Sequence, residues 1–421
     1  MEVNKTKFDS GLTLLTIPQK ERSTATVLVL VGAGSKYETK EINGISHILE
    51  HLIFKGTLKR PTPQDIAAEL DRVGGAYNAF TGQEYTGYYA RVDSQHFSLA
   101  ADWVSDIFLN AALRDEDLQR EKPAIMEELN MYLDSPQQYV SELWSEVLYG
   151  DQPAGWKIIG SRETIESISI DQVQNYFQEY YTAPKTVVVV AGNIPDRAEE
   201  IINNKFKSLQ RNERPSKEKT KVKQDKPQLL VHYKETDQTH LCVGGHGFSL
   251  KDDQRFAQII LASALGGNMS SRLFNIIREK NSLAYYVHTS SSSSIDSGSL
   301  VTQAGVTNSK VKKALRLILE EYQKIAQNGL EAEELQKVKE YLKGSLRLKL
   351  EAAHQLAFHF GKEQLLTSQT LTIDELIKKI TTVTNKEVKK VAQQIFQNKN
   401  LNLALIGPFN KEDLQSQLTF K

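Results

Sequence analysis

The chain has 421 residues, 40% hydrophobic and 25% charged, and its 52 basic residues are balanced by 52 acidic ones. That length exceeds one ordinary core and implies two or more domains. The charge balance, with no basic block interleaved with aromatics, argues against nucleic acid or an anionic membrane as a partner. In chain order the first strong element is "TVLVLVGAG" (26–34), an apolar strand ending in glycine. A charged turn and the apolar helix "GISHILEHLIFKG" (44–56) follow it. Such apolar runs fall far short of the ~20 residues that a membrane span needs. "GGAYNAFTGQEYTGYYARVD" (74–93) alternates and is rich in aromatics and threonine, as strands are. An acidic helix, "DLQREKPAIMEELNMYLDSP" (117–136), comes next. "FQEYYTAPKTVVVVAGNI" (177–194) then runs from a helix end through a polar turn into a strand closed by Gly192.

Residues 211–228, charge-rich with two prolines, read as a linker between a domain at 1–210 and a second at 229–421. The second domain repeats the first. "HLCVGGHGFSLKDDQRFAQIILASALGG" (240–267) matches the opening strand, turn and helix, and "AQQIFQNKNLNLALIGPF" (392–409) matches the closing one. Gly407 corresponds to Gly192 at a shift of 215 residues. An internal duplication is expected. The serine run "HTSSSSSIDSGSL" (288–300) reads as a strand pair with its turn at 296–298, and long helices follow over 309–329 and 331–366. Strands and helices mix without strict βαβ repetition, so the fold class is α+β, each half a mainly antiparallel sheet packed with helices.

The helix at 44–56 carries His47, Glu50 and His51 on an otherwise apolar run. Its counterpart in the second half, "ILASAL", has no such residues, so the fold does not require them. His47 and His51, at i and i+4, aim at one point, and the order H-x-x-E-H is the inverted zincin signature. A hydrolytic zinc site commonly takes three protein ligands, and the acidic helix supplies the third. Glu121 and Glu128, seven apart, face the same way while Glu127 points aside. Glu128 is the expected ligand and Glu121 an outer carboxylate that orients a histidine or the attacking water. Glu50 is then the general base. The sole cysteine, Cys242, excludes an internal disulfide and reads as a buried strand residue. His354 and His359, five apart on a helical pattern, make a poor ligand pair.

"HILEHLIFKGT", with Glu128 lying 77 residues beyond His51 in "EKPAIMEELNMYLDSP", resembles the pitrilysin family of zinc peptidases, nearest the bacterial and mitochondrial processing-peptidase type. The resemblance covers essentially the whole chain. It implies one Zn2+ per chain on His47, His51 and Glu128, with Glu50 as base and Glu121 matching the family's second glutamate. It also implies that Asn78 and Ala79 in "GGAYNAFT" line a substrate-binding strand edge, where a peptide adds by backbone pairing. Arg278 and Tyr285 read alone as a surface salt bridge and a core tyrosine. The resemblance makes them the family's arginine–tyrosine element, which completes the active site from the opposite half of a closed shell.

Two departures stand out: Asn281–Ser282 where the family often has Arg–Gly, and Gln152 where many relatives have histidine. The family's closed chamber needs four such half-units, so a homodimer is expected, with Arg278 and Tyr285 acting on the partner chain's site. The expected activity is zinc-dependent endopeptidase cleavage of peptides or small unfolded proteins. The alternative is a non-catalytic or partner-dependent subunit of a heteromeric assembly. The N-terminal segment lacks a basic stretch followed by an apolar one, so a cytoplasmic location is expected.

Overall fold

The computed structural model describes residues 2–212 and 216–420; residues 213–215 of the expected linker lie outside the described residues. One sheet, of six strands, contains β1 (Asn4–Lys7), β2 (Thr13–Pro18), β3 (Thr24–Val31), β4 (Ala76–Thr81), β5 (Thr86–Asp93) and β6 (Thr186–Gly192). Its order is β1-β2-β6-β3-β5-β4. The other, of five strands, contains β7 (Gln228–Tyr233), β8 (Gln238–His246), β9 (Ala284–Ser293), β10 (Gly298–Thr307) and β11 (Asn402–Gly407). Its order is β7-β11-β8-β10-β9.

Without β1 the two orders coincide strand for strand. In each sheet the first of these pairs, β2 with β6 and β7 with β11, is parallel and the rest are antiparallel. The architecture is therefore α+β in two duplicated halves. Gly192 and Gly407 end the equivalent strands β6 and β11. Both strands are buried along their whole length, which is why they read as unbroken apolar runs.

Helix starts repeat as well. Ser161 and Ser169 form capping boxes on helices Arg162–Ser167 and Ile170–Tyr180, as Thr372 and Thr384 do on Ile373–Thr381 and Asn385–Ile395. Each box satisfies first-turn N–H groups that no helical carbonyl can reach. The serine run is strand as expected: β9 and β10 pair, with Ser294 and Ser297 bonded across the turn at 2.8 Å.

The chain forms two compact units that cross the halves. One comprises Met1–Asn130, Lys157–Glu218 and Leu348–Leu371; the other comprises Met131–Trp156, Lys219–Arg347 and Thr372–Lys421. Each sheet is covered on one face by a helix from the other half of the sequence. Helix Ala353–Thr367 lies on β2, β3 and β6. A Cβ on its Gly361 would stand 2.8 Å from both Leu30 Cδ1 and Val189 Cγ2, so glycine sets how closely this helix approaches. In the second unit, helix Pro136–Tyr149 packs Tyr139, Val140, Leu143 and Trp144 against Cys242, Ala404 and Ile406. The homologous halves and the compact units are thus different divisions of the chain.

The same exchange explains why the helical stretch at 331–366 breaks into Ala332–Lys349 and Ala353–Thr367, which lie almost wholly in different units. No helix among the described residues is long and apolar enough to cross a membrane.

Candidate metal centre

Helix Ile45–Ile53 buries Ile45, Ile48, Leu49, Leu52 and Ile53 and packs on the edge strand β4. In the second unit, helix Gln254–Gly266 packs on the equivalent edge strand β9 with its whole "ILASAL" stretch apolar or small. The apolar face anchors the first helix, leaving His47 mostly buried and Glu50 and His51 partly buried, with both histidines directed at helix Asp115–Asp134.

The three expected ligands meet there. His47 Nε2 lies 3.6 Å and His51 Nε2 3.4 Å from the same oxygen, Glu128 Oε2. The imidazole centroids are 4.7 Å apart, with planes at 62°. His47, His51 and Glu128 are the group among the described residues whose donor atoms could hold a metal ion, all within 4.8 Å of one another. Two imidazoles converging through Nε2 with one carboxylate suit Zn2+, which takes N and O donors in tetrahedral sites with a position left open. The donor set fits the metal.

Behind the ligands the support is asymmetric. His51 Nδ1 lies 3.2 Å from Glu121 Oε2, and the other oxygen of that carboxylate accepts from Lys55 Nζ at 2.5 Å. Hydrogen bonding to His51, aided by Lys55, holds the Glu121 carboxyl below its usual range. Such a carboxylate behind a ligating histidine fixes its ring and its tautomer. His47 Nδ1 is buried and has no hydrogen-bond partner among the described residues.

The electrostatics diverge accordingly. Burial, reinforced by the charge of His51, pulls His47 down to about 4. Burial also pulls on His51, but hydrogen bonds to Glu121 and Glu128 and the charges of Glu128 and Glu50 outweigh it and raise His51 to about 9. Metal binding must therefore displace a proton from His51. Burial raises the Glu50 carboxyl, while Thr81 Oγ1, donating at 2.5 Å, opposes that rise. A carboxyl raised in this way is a stronger proton acceptor than an ordinary one.

Thr81 ends β4, the outermost strand of its sheet. Asn78 and Ala79 lie on the same strand, and the Ala79 N–H donates to the Asn78 side-chain oxygen at 2.9 Å. Expected substrate contacts and the expected base are thus joined by one edge strand.

The second unit holds Arg278 and Tyr285 together. Arg278 sits in a π-helical segment, Phe274–Lys280, a geometry frequent at functional sites. Its guanidinium lies 4.9 Å over the Phe274 ring and 5.9 Å over the Tyr285 ring. Tyr285 is 75% exposed, so it is not the core tyrosine that its surroundings in the sequence suggest. Ser282, at the departure from the family pattern, adopts φ +48°, the left-handed region that a glycine would occupy without strain. Gln152 grips the backbone of Lys221 in both directions, accepting at 2.8 Å and donating at 2.9 Å, a structural use for that side chain. Cys242 is buried in β8, and burial raises its thiol, which removes it as a nucleophile.

Three contributors escaped the sequence reading: Lys55, Thr81 and Glu38. Lys55 had a signal, since it follows His51 by one helical turn. Thr81 and Glu38 had none, because their partners are set by sheet and loop packing. Glu38 accepts from the backbone at the start of the histidine-bearing helix.

Residues 13–162 match the family profile described as Insulinase (Peptidase family M16), and residues 167–342 match that of the Peptidase M16 inactive domain. An uncharacterized zinc protease of Bacillus subtilis is 38% identical over 90% of this chain and 92% of its own length. Another of Streptomyces coelicolor is 32% identical over 96% and 90%, respectively. Two solved structures share the fold: a protease from Helicobacter pylori (TM-score 0.91, 20% identity, 97% of this chain and 99% of that one) and a peptidase M16 inactive domain from Pseudomonas fluorescens (TM-score 0.90, 17% identity, 97% and 98%). With this similarity along nearly the whole length of its relatives, the chain belongs to peptidase family M16, the pitrilysin family.

Proposed function

We propose that the protein is a zinc-dependent endopeptidase that cleaves extended peptides or small unfolded proteins, with one Zn2+ per chain held by His47, His51 and Glu128. The observation that carries this reading is the convergence of both Nε2 atoms on one Glu128 oxygen, with Glu121 backing His51. When bound, zinc supplies Lewis-acid polarisation of the scissile carbonyl and acidifies the attacking water. Glu50, oriented by Thr81, accepts the proton from that water and passes it to the leaving amine. The free edge of β4 pairs with the substrate backbone, which brings the scissile bond past Asn78 and Ala79 and makes sequence tolerance broad.

In this reading Arg278 and Tyr285 hold the substrate carbonyl or the developing oxyanion. A homodimer forms the closed chamber, and each chain's Arg278 and Tyr285 serve its partner's site. The intact ligand set favours this over a non-catalytic subunit, whose expected mark is loss of those ligands. The lone cysteine, buried, and the balanced charge are compatible with the cytoplasm, where we place the enzyme.

Metal analysis combined with cleavage of unstructured peptides, with and without chelator, tests the proposal. Wild type should carry zinc and lose activity to chelator, and Glu50→Gln should keep zinc while losing roughly 10²–10⁴-fold in activity. A wild-type protein that takes up no zinc and cleaves no peptide after zinc addition would sink it.

A further inference from the structure

The histidine-bearing helix begins without a capping side chain of its own. Its N-cap is Gly44, at φ +101°, and a Cβ there would stand 2.6 Å from the Ile159 carbonyl oxygen. No serine, threonine or aspartate can occupy that position, yet the first-turn N–H groups still need acceptors. Glu38 supplies them from outside the helix. Its Oε2 accepts from Gly44 N at 2.8 Å and from Asn43 Nδ2 at 2.8 Å, and its Oε1 accepts from Ser46 N at 2.9 Å. Asn43 is tied in turn to the Lys157 carbonyl at 3.0 Å, and the Ser46 hydroxyl meets Tyr176 Oη at 2.9 Å.

We propose that Glu38 is a positioning residue for the metal centre: by accepting from Gly44, Asn43 and Ser46 it fixes the first turn of the helix that carries His47. The inference rests on the zinc reading above. Two observations carry it. Glu38 is only 4% exposed, and although burial raises its carboxyl, the Ser46 side chain, the Gly44 and Ser46 N–H groups and the Asn43 amide all work against that rise. His47 follows Ser46 directly and is itself in the first turn, its own N–H bonded to the Gly44 carbonyl at 3.1 Å. Among the described residues His47 has no partner on Nδ1 to hold its ring, so its aim depends on where the helix turn places it.

The test measures zinc affinity by competition with a chromogenic chelator at a temperature well below unfolding. Cobalt-substituted absorption spectra are recorded for the wild type, Glu38→Gln and Glu38→Asp, and the melting of each metal-free form is followed. Thr62→Ala, which removes the cap of helix Pro63–Asp71 in the same unit, is the control for general destabilisation. Glu38→Gln should bind zinc about tenfold more weakly, with a shifted cobalt spectrum. Glu38→Asp, which keeps the carboxyl group but shortens the reach, should fall between Glu38→Gln and wild type, and it remains informative if Glu38→Gln does not fold. Thr62→Ala should melt lower yet bind zinc as wild type does.

Wild-type affinity and an unchanged cobalt spectrum in both Glu38 variants overturn the role of Glu38 while leaving the zinc reading intact. A wild type that binds no zinc overturns both.

Discussion

Lys55 and Glu121 form a 2.5 Å ion pair, and the free oxygen of that carboxylate faces His51 Nδ1 at 3.2 Å. The lysine thus holds the carboxylate that faces His51, the expected ligand. Glu121→Gln should lower zinc affinity roughly 10–100-fold, and Lys55→Met should act in the same direction at about tenfold or less. Chelator competition checks both. Equal affinity in wild type and Glu121→Gln would refute the orienting role.

Subunit mixing tests whether Arg278 and Tyr285 serve the partner's site. Glu50→Gln and Tyr285→Phe should each be nearly inactive alone. Mixed dimers carry one complete site of two, and random exchange makes half of the dimers mixed, so roughly a quarter of wild-type activity should return. No recovery despite exchange verified by mass would place the pair in its own chain's site or outside the chemistry.

Ser282 stores backbone strain at φ +48°. A left-handed non-glycine residue costs about 1–2 kcal/mol, and the extra unfolded-state freedom of glycine returns part of that. Ser282→Gly should therefore raise stability by about 0.5–1 kcal/mol, read as a higher denaturation midpoint. A lower midpoint would show that the Ser282 side chain contributes more than the strain costs.

His246, on β8 beside the Tyr149 ring, is pulled down by burial to about 4 from an ordinary value of 6.5. The unfolded chain then binds the proton more tightly, so stability rises with pH across this window and is lost as pH falls from 6.5 toward 4. At pH 5 the loss should reach about 2 kcal/mol relative to neutral pH. His246→Phe, a similar volume with no proton to bind, should flatten this part of the pH–stability curve. An unchanged slope would assign the pH dependence to other groups.

Periodicity and motif made much of this protein legible. H-x-x-E-H on an apolar helix, with two glutamates seven apart downstream, specified which side chains could converge, because helical spacing alone sets which residues share a face. The duplication was readable because β6 and β11, buried on both sides, leave unbroken apolar runs that end in Gly192 and Gly407. The capping boxes at Ser169 and Thr384 are also local, each joining residues three apart, but they were recognised only in the structure.

What the sequence could not express is any pairing set by non-local packing. That the helix carrying Gly361 covers the first unit's sheet, and the helix carrying Trp144 the second's, follows from which open apolar face each can bury. An apolar stripe records that it needs a partner, not which one. Glu38 reaches the helix start because Gly44 is pressed against the Ile159 carbonyl and can carry no cap, and Thr81 reaches Glu50 because β4 lies along the helix. Helical spacing and apolar runs, both local, carried the expected ligands His47, His51 and Glu128, the expected base Glu50, and the repeat. Tertiary structure decided what orients them, because orientation comes from hydrogen bonds between elements whose proximity exists only after the chain has packed.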